Sequence, residues 1–131
     1  MVSSGLLNQV IDDDVRYASK FVDVVRRNVP VFVIEAPAPF RHHDAVTVNG
    51  PELVMHIHRT YRERVLSKLV SQQVPVIDLD PDWTDSDGFM KPRFKRSNPM
   101  DQHHGNAEFG GLMYARIVEF LKRQREGLPV K

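Results

Sequence analysis

Apolar residues recur at Val15, Ala18, Val22 and Val25, with Tyr17, Phe21 and Val24 beside them. This three-to-four spacing predicts a helix from Asp12 to about Asn28. Asp12, Asp13 and Asp14 suit the positive end of its dipole, and Arg26 and Arg27 the negative end. Val29-Pro30 stops it. Val31-Phe32-Val33-Ile34 then forms a β-branched run without alternation, the pattern of a strand buried on both faces. Ala36-Pro37-Ala38-Pro39 opens a loop.

The same unit follows again. Asn49-Gly50-Pro51 starts a helix that runs to about Gln73, with an expected core stripe of Leu53, Val54, Ile57, Tyr61, Val65 and Leu69. Val74-Pro75 stops it, and Val76-Ile77-Asp78-Leu79 reads as a second short strand. Strands alternating with helices predict parallel pairing and an α/β fold. Residues 80–103 form a long loop rich in Asp, Pro, Lys and Arg, and long loops are more often functional than idle. Asn106 caps a last helix that buries Met113, Ile117, Phe120 and Leu121, and Gly127-Leu128-Pro129 closes it. Two strands make a thinly covered sheet. Either Met1–Leu7 supplies a third strand, or something outside this chain completes the sheet.

Composition narrows the function. The chain has 131 residues, enough for a single domain, with 41% apolar residues, 27% charged residues and a net charge of +1. A balance so near neutral gives no argument for nucleic acid or an acidic membrane. Lys91-Pro92-Arg93-Phe94-Lys95-Arg96 is basic only locally and reads as a mobile, solvated loop over a cleft. Trp83 reads equally as a substrate-contacting aromatic or a loop anchor. No apolar run approaches a membrane span. The N-terminus lacks the basic start of a secretory signal, so the cytoplasm is the default expectation. With no cysteine, thiolate catalysis and Cys-based zinc sites are excluded.

Six histidines fall in three pairs: His42-His43, His56 and His58, and His103-His104. His56 and His58 lie roughly 200° apart around a helix, so they cannot hold one metal. His58 reads as a core-edge residue and His56 as solvent-facing. His42 and His43 follow the first strand, where open α/β sheets bind ligands, and with Arg41 they line the same cleft edge as His104. A zinc site from His42 or His43 with Asp101 and His104 is stereochemically allowed. His103 reads as a solvated loop residue.

Strand, Pro-rich loop, helix, strand, long loop and then Asp101-Gln102-His103-His104-Gly105-Asn106, continuing to Phe109-Gly110, resembles the C-terminal half of an SGNH/GDSL-type hydrolase. The Glu35-to-Pro39 strand exit and Val76–Asp80 add to the likeness, which covers roughly residues 12–125. The resemblance implies a three-layer α/β/α domain with a short parallel sheet, a truncated form of the flavodoxin-like hydrolase fold. Residues 1–131 would be a single partial domain, with 80–103 as its cleft loop. His104 would be the general base, Asp101 would hold its imidazole, and no cofactor is needed. That division of labour is chemically sound. The base must reach both partners in the tautomer that leaves one nitrogen free, and the imidazolium needs a carboxylate beside it.

The chain departs from the family at the nucleophile. It has no Gly-Asp-Ser block, and Ser3-Ser4-Gly5 to Asn8 is at most a remnant of an oxyanion block. The expected function is therefore the His–Asp part of a serine ester or acyl hydrolase, inactive alone without a serine. Its substrate would be a small ester or acylated compound. Two rival classes stand beside it. One is a noncatalytic α/β module that pairs through its sheet edge, with another chain or as a homo-oligomer. The other is a small histidine-dependent metallohydrolase.

Overall fold

The computed structural model describes residues 3–98 and 100–127. It is mostly helical, with a short parallel sheet of two strands, a mixed α/β fold. Helix α1 spans Ser4–Val25, strand β1 Val33–Ile34, helix α2 Asp44–Asn49 and helix α3 Pro51–Ser71. Strand β2 is Val76–Ile77 and helix α4 is Ala107–Arg125. No helix among the described residues is long and apolar enough to cross a membrane.

Helix α1 begins eight residues before Asp12. The Ser3 hydroxyl accepts the Leu6 N–H at 3.2 Å and caps the helix, and Leu7 and Ile11 extend its inner face. Ser4–Leu7 is thus helical rather than a third strand, and Asn8 sits inside the helix. Ser3 caps the helix and Ser4 opens it, so Ser3–Asn8 does not end a strand as the family's oxyanion block does. Met1 and Val2 lie outside the described residues. The acidic triplet is mid-helix, so it does not answer the dipole. Asp12 instead pairs with Arg64, and Asp14 accepts the Tyr61 hydroxyl at 2.7 Å, both across to α3.

The strands are shorter than the apolar runs. They pair in the register Val33↔Val76 and Ile34↔Ile77, with Val33 N–H donating to the Pro75 carbonyl at 2.9 Å. No residue of Val31–Ile34 is fully buried, and among the described residues β1 pairs with β2 alone. Val33 and Glu35 spend their amides on β2, so Ile34 directs its backbone toward the open edge.

Gly50 joins α2 to α3 at φ +82°, a conformation L side chains avoid. His43 caps α2 through its ring, a helix placed where the sequence reads as loop. On α3 the buried positions are Met55 and Leu69, whereas Leu53, Ile57 and Tyr61 are exposed. Of the expected stripe Leu69 is buried and Val54 and Val65 are half-buried, while Met55, outside it, is buried against Val46 of α2 and Phe89 of the long loop. Helix α4 starts after Asn106, as expected, and buries Met113 and Phe120; Ile117 is half-buried and Leu121 exposed. Leu128 and Pro129 lie outside the described residues.

The largest correction concerns residues 80–103. Within them Arg93, Lys95 and Arg96 are exposed, as a solvated stretch should be, but the segment also supplies core side chains. Two 3₁₀ turns, Pro81–Trp83 and Pro92–Phe94, turn aromatic side chains inward. Phe94 is 0% exposed, and Phe89 and Met90 are 1% exposed. Trp83, Met90 and Phe94 join Ala38, Phe40 and Met113 in the main core, so Trp83 is an anchor. The rings of Trp83, Phe94 and Phe109 meet edge to face at 5.5–6.0 Å, a favourable geometry for their quadrupoles.

Candidate acid–base site

Two loops leave the C-terminal ends of the parallel strands, and they are tied together along their length. Glu35, after β1, accepts the Leu79 N–H at 2.8 Å and pairs with Arg62. Met90 N–H donates to the Pro39 carbonyl at 3.0 Å. Arg41 pairs with Asp85 and Asp87. The long loop then reaches α2. There Gln102 Oε1 accepts the Asp44 N–H at 2.8 Å, and its Nε2 donates to Asp44 Oδ1 at 3.0 Å.

His43 and His103 extend this clamp. Ala45 N–H donates to His43 Nδ1 at 3.0 Å, so neutral His43 carries its proton on Nε2. That proton points at His103 Nδ1, 3.2 Å away. His103 is an exposed loop residue, as expected, with this one contact to α2.

Between these anchors stand Asp101 and His104. Asp101 Oδ1 accepts the His104 backbone N–H at 3.1 Å and lies 2.8 Å from His104 Nδ1. Its other oxygen accepts from Arg96 at 2.8 Å. The His104 hydrogen bond, with help from the backbone N–H and Arg96, outweighs desolvation and holds the Asp101 carboxyl down at about 2. An ionised carboxylate only accepts, so His104 donates from Nδ1 and neutral His104 has its lone pair on Nε2. Among the described residues Nε2 makes no hydrogen bond, and the ring is exposed. The pair can accept a proton at one defined atom and stabilise the resulting imidazolium. The serine that would donate that proton is not part of this arrangement.

The residues behind the pair tie its loop to α4 and to the 3₁₀ turn before it. Asn106 Oδ1 accepts the Phe109 N–H at 3.1 Å, capping α4, and its Nδ2 donates to the Arg93 carbonyl at 2.6 Å. A Cβ on Gly105 would lie 2.7 Å from Phe109 Cγ, so this glycine permits a close approach of loop to ring.

The remaining histidines separate. His42 packs on Phe40 with its Nε2 buried and without a hydrogen-bond partner, and burial pushes its pKa down. His58 is half-buried and is likewise held down by burial, as a core-edge residue should be, while His56 is exposed. The mixed zinc site does not assemble. His43 uses both ring nitrogens elsewhere, His104 Nδ1 is engaged by Asp101, and no cluster of three or more His, Asp or Glu that could hold a metal occurs among the described residues.

Arg96, Gln102, Asp44 and the His43–His103 contact were not assigned to the site from sequence. Arg96, five residues before Asp101, carried a usable signal: a fixed cation near a carboxylate. The α2 contacts bridge about sixty residues and leave no local trace. No protein-family model matches the chain, and neither a curated protein nor a solved structure matches it.

Proposed function

We propose that this chain carries the His–Asp portion of an SGNH-like serine ester or acyl hydrolase site, with His104 as general base and Asp101 as its orienting carboxylate. The observation that carries the reading is the 2.8 Å Asp101–His104 contact beyond the C-terminal ends of parallel strands, with Nε2 free. The short parallel sheet, with α4 packed on β2 and the ring of Phe32 against Phe120, is compatible with part of a three-layer flavodoxin-like domain. Covalent acyl transfer would require a serine brought by a further segment, and the open edge of β1 beside an apolar groove of Val33, Ile34, Tyr61 and Val65 is where such a segment would pair. The substrate class is a small ester or acylated compound, and no cofactor enters the chemistry.

The free Nε2 lone pair can be tested without the serine, because an imidazole nitrogen attacks the acyl carbon of an activated ester, expels p-nitrophenolate and leaves an acyl-imidazole that water hydrolyses. Each histidine is replaced in turn by Gln, and p-nitrophenyl acetate hydrolysis is followed from pH 6 to 8. The reading predicts that His104→Gln removes most of the protein-dependent rate and that Asp101→Asn lowers it. A rate unchanged in His104→Gln refutes it.

The same open edge supports a second reading, a noncatalytic module that binds an extended strand of another chain. It predicts saturable binding of β-strand peptides with His104→Gln fully competent.

A further inference from the structure

Helix α1 carries one broad apolar surface, and the molecule covers only part of it. Ile11 is its only buried residue, and Leu7, Val15 and Val22 flank it on the side toward α3. Leu6, Val10, Tyr17, Phe21 and Val24 are each more than half exposed. At 3.6 residues per turn these five fall within an arc of roughly 60°, centred about 115° around the helix from Ile11. A continuous stripe of large apolar side chains along a 22-residue helix marks an interaction surface rather than scattered exposure.

Two charges lie along one rim of the stripe, Asp13 and Lys20, seven residues apart and therefore in line. Parallel, in-register pairing of two such helices would put this rim of the two copies on opposite sides of the interface, where Asp13 and Lys20 find no partner in each other. Antiparallel pairing about Tyr17 sets Val10 near Val24 of the second copy and Asp13 near its Lys20, and the two-fold repeats both contacts. Asp13 now pairs only weakly with Arg16, at 3.6 Å with both side chains exposed, so it is free to be re-paired at little cost.

We infer that the exposed face of α1 is a homodimer surface on which two copies of this chain pack antiparallel about Tyr17. The site at His104 takes no part in it.

Sedimentation equilibrium over a wide concentration range tests this. The wild-type chain should form a dimer that Phe21→Glu or Tyr17→Glu dissociates by at least about tenfold, since each buries a charge in the stripe. Far-UV circular dichroism should show these exposed-face variants folded. Lys20→Asp should weaken the dimer, and Asp13→Lys combined with Lys20→Asp should restore it. Because the chain has no cysteine, Tyr17→Cys should cross-link to a covalent dimer on oxidation, whereas Val48→Cys on α2 should not. A monomer at every concentration, a dimer indifferent to the stripe variants, or a double charge swap weaker than either single one overturns the inference.

Discussion

The long loop of residues 80–106 and helix α1 reverse the usual expectation of loops and helices. The loop has little regular structure, yet it buries Trp83, Phe89, Met90 and Phe94 and supplies much of the core. Helix α1 is regular over 22 residues, yet it buries one. Periodicity tells which residues share a face, not whether anything covers that face. Conversely, aromatic side chains five or six residues apart can fill a core with no period at all, if turns aim them inward. The candidate site follows the densely packed stretch in an exposed part of the loop and is tied back to that core through Gly105 against Phe109.

The sharpest way to break this contrast is to empty both regions. Phe94→Ala should cost about 3–5 kcal/mol in urea unfolding, the range for a fully buried ring. Phe21→Ala, at concentrations where the chain is monomeric, should change stability by no more than about 0.5 kcal/mol. Equal losses would show that α1 is packed more tightly than its exposure indicates.

Gly105→Ala comes next. The added Cβ must displace Phe109 from its place against Trp83 and Phe94, an overpacking penalty of about 1–3 kcal/mol. The same variant should weaken the Asp101–His104 contact, read as an upward move of the Asp101 titration. Asn106→Ala removes the α4 cap and the tie to Arg93, at a cost of about 1 kcal/mol in the same unfolding assay.

How far the sequence could be read follows from the same contrast. The Asp101–His104 pair and the Asn106 cap are local, made within three residues at a helix start, so spacing alone exposes them. The two short parallel strands were legible because Val29-Pro30 and Val74-Pro75 punctuate them. The start of α1 was missed because the acidic triplet looked like an N-terminus, when its charges reach sideways to Arg64 and Tyr61. The loop core, α2 and the Gln102–Asp44 clamp depend on contacts far apart in the chain. No local pattern encodes them.

A smaller effect is electrostatic. Asp101 should titrate at about 2 in wild-type protein and rise toward the ordinary carboxylate value of 3.8 in His104→Ala, followed by carboxyl-carbon NMR. Its pKa is depressed by folding, so its contribution is complete above about pH 4 and lost as pH falls toward 2. The loop that carries the site should therefore loosen over that window. Neutral His58 has the same sign. Burial lowers its pKa, so its contribution is present above about pH 6.5 and fades as pH drops below that value.

The most direct test of the central claim is the tautomer of His104, read from its ring nitrogen shifts in a ¹⁵N-labelled sample at neutral pH. The account predicts the proton on Nδ1, held by Asp101, with Nε2 unprotonated and ready to accept, and it predicts loss of that preference in Asp101→Ala. A neutral His104 protonated on Nε2, unchanged when Asp101 is removed, would contradict it.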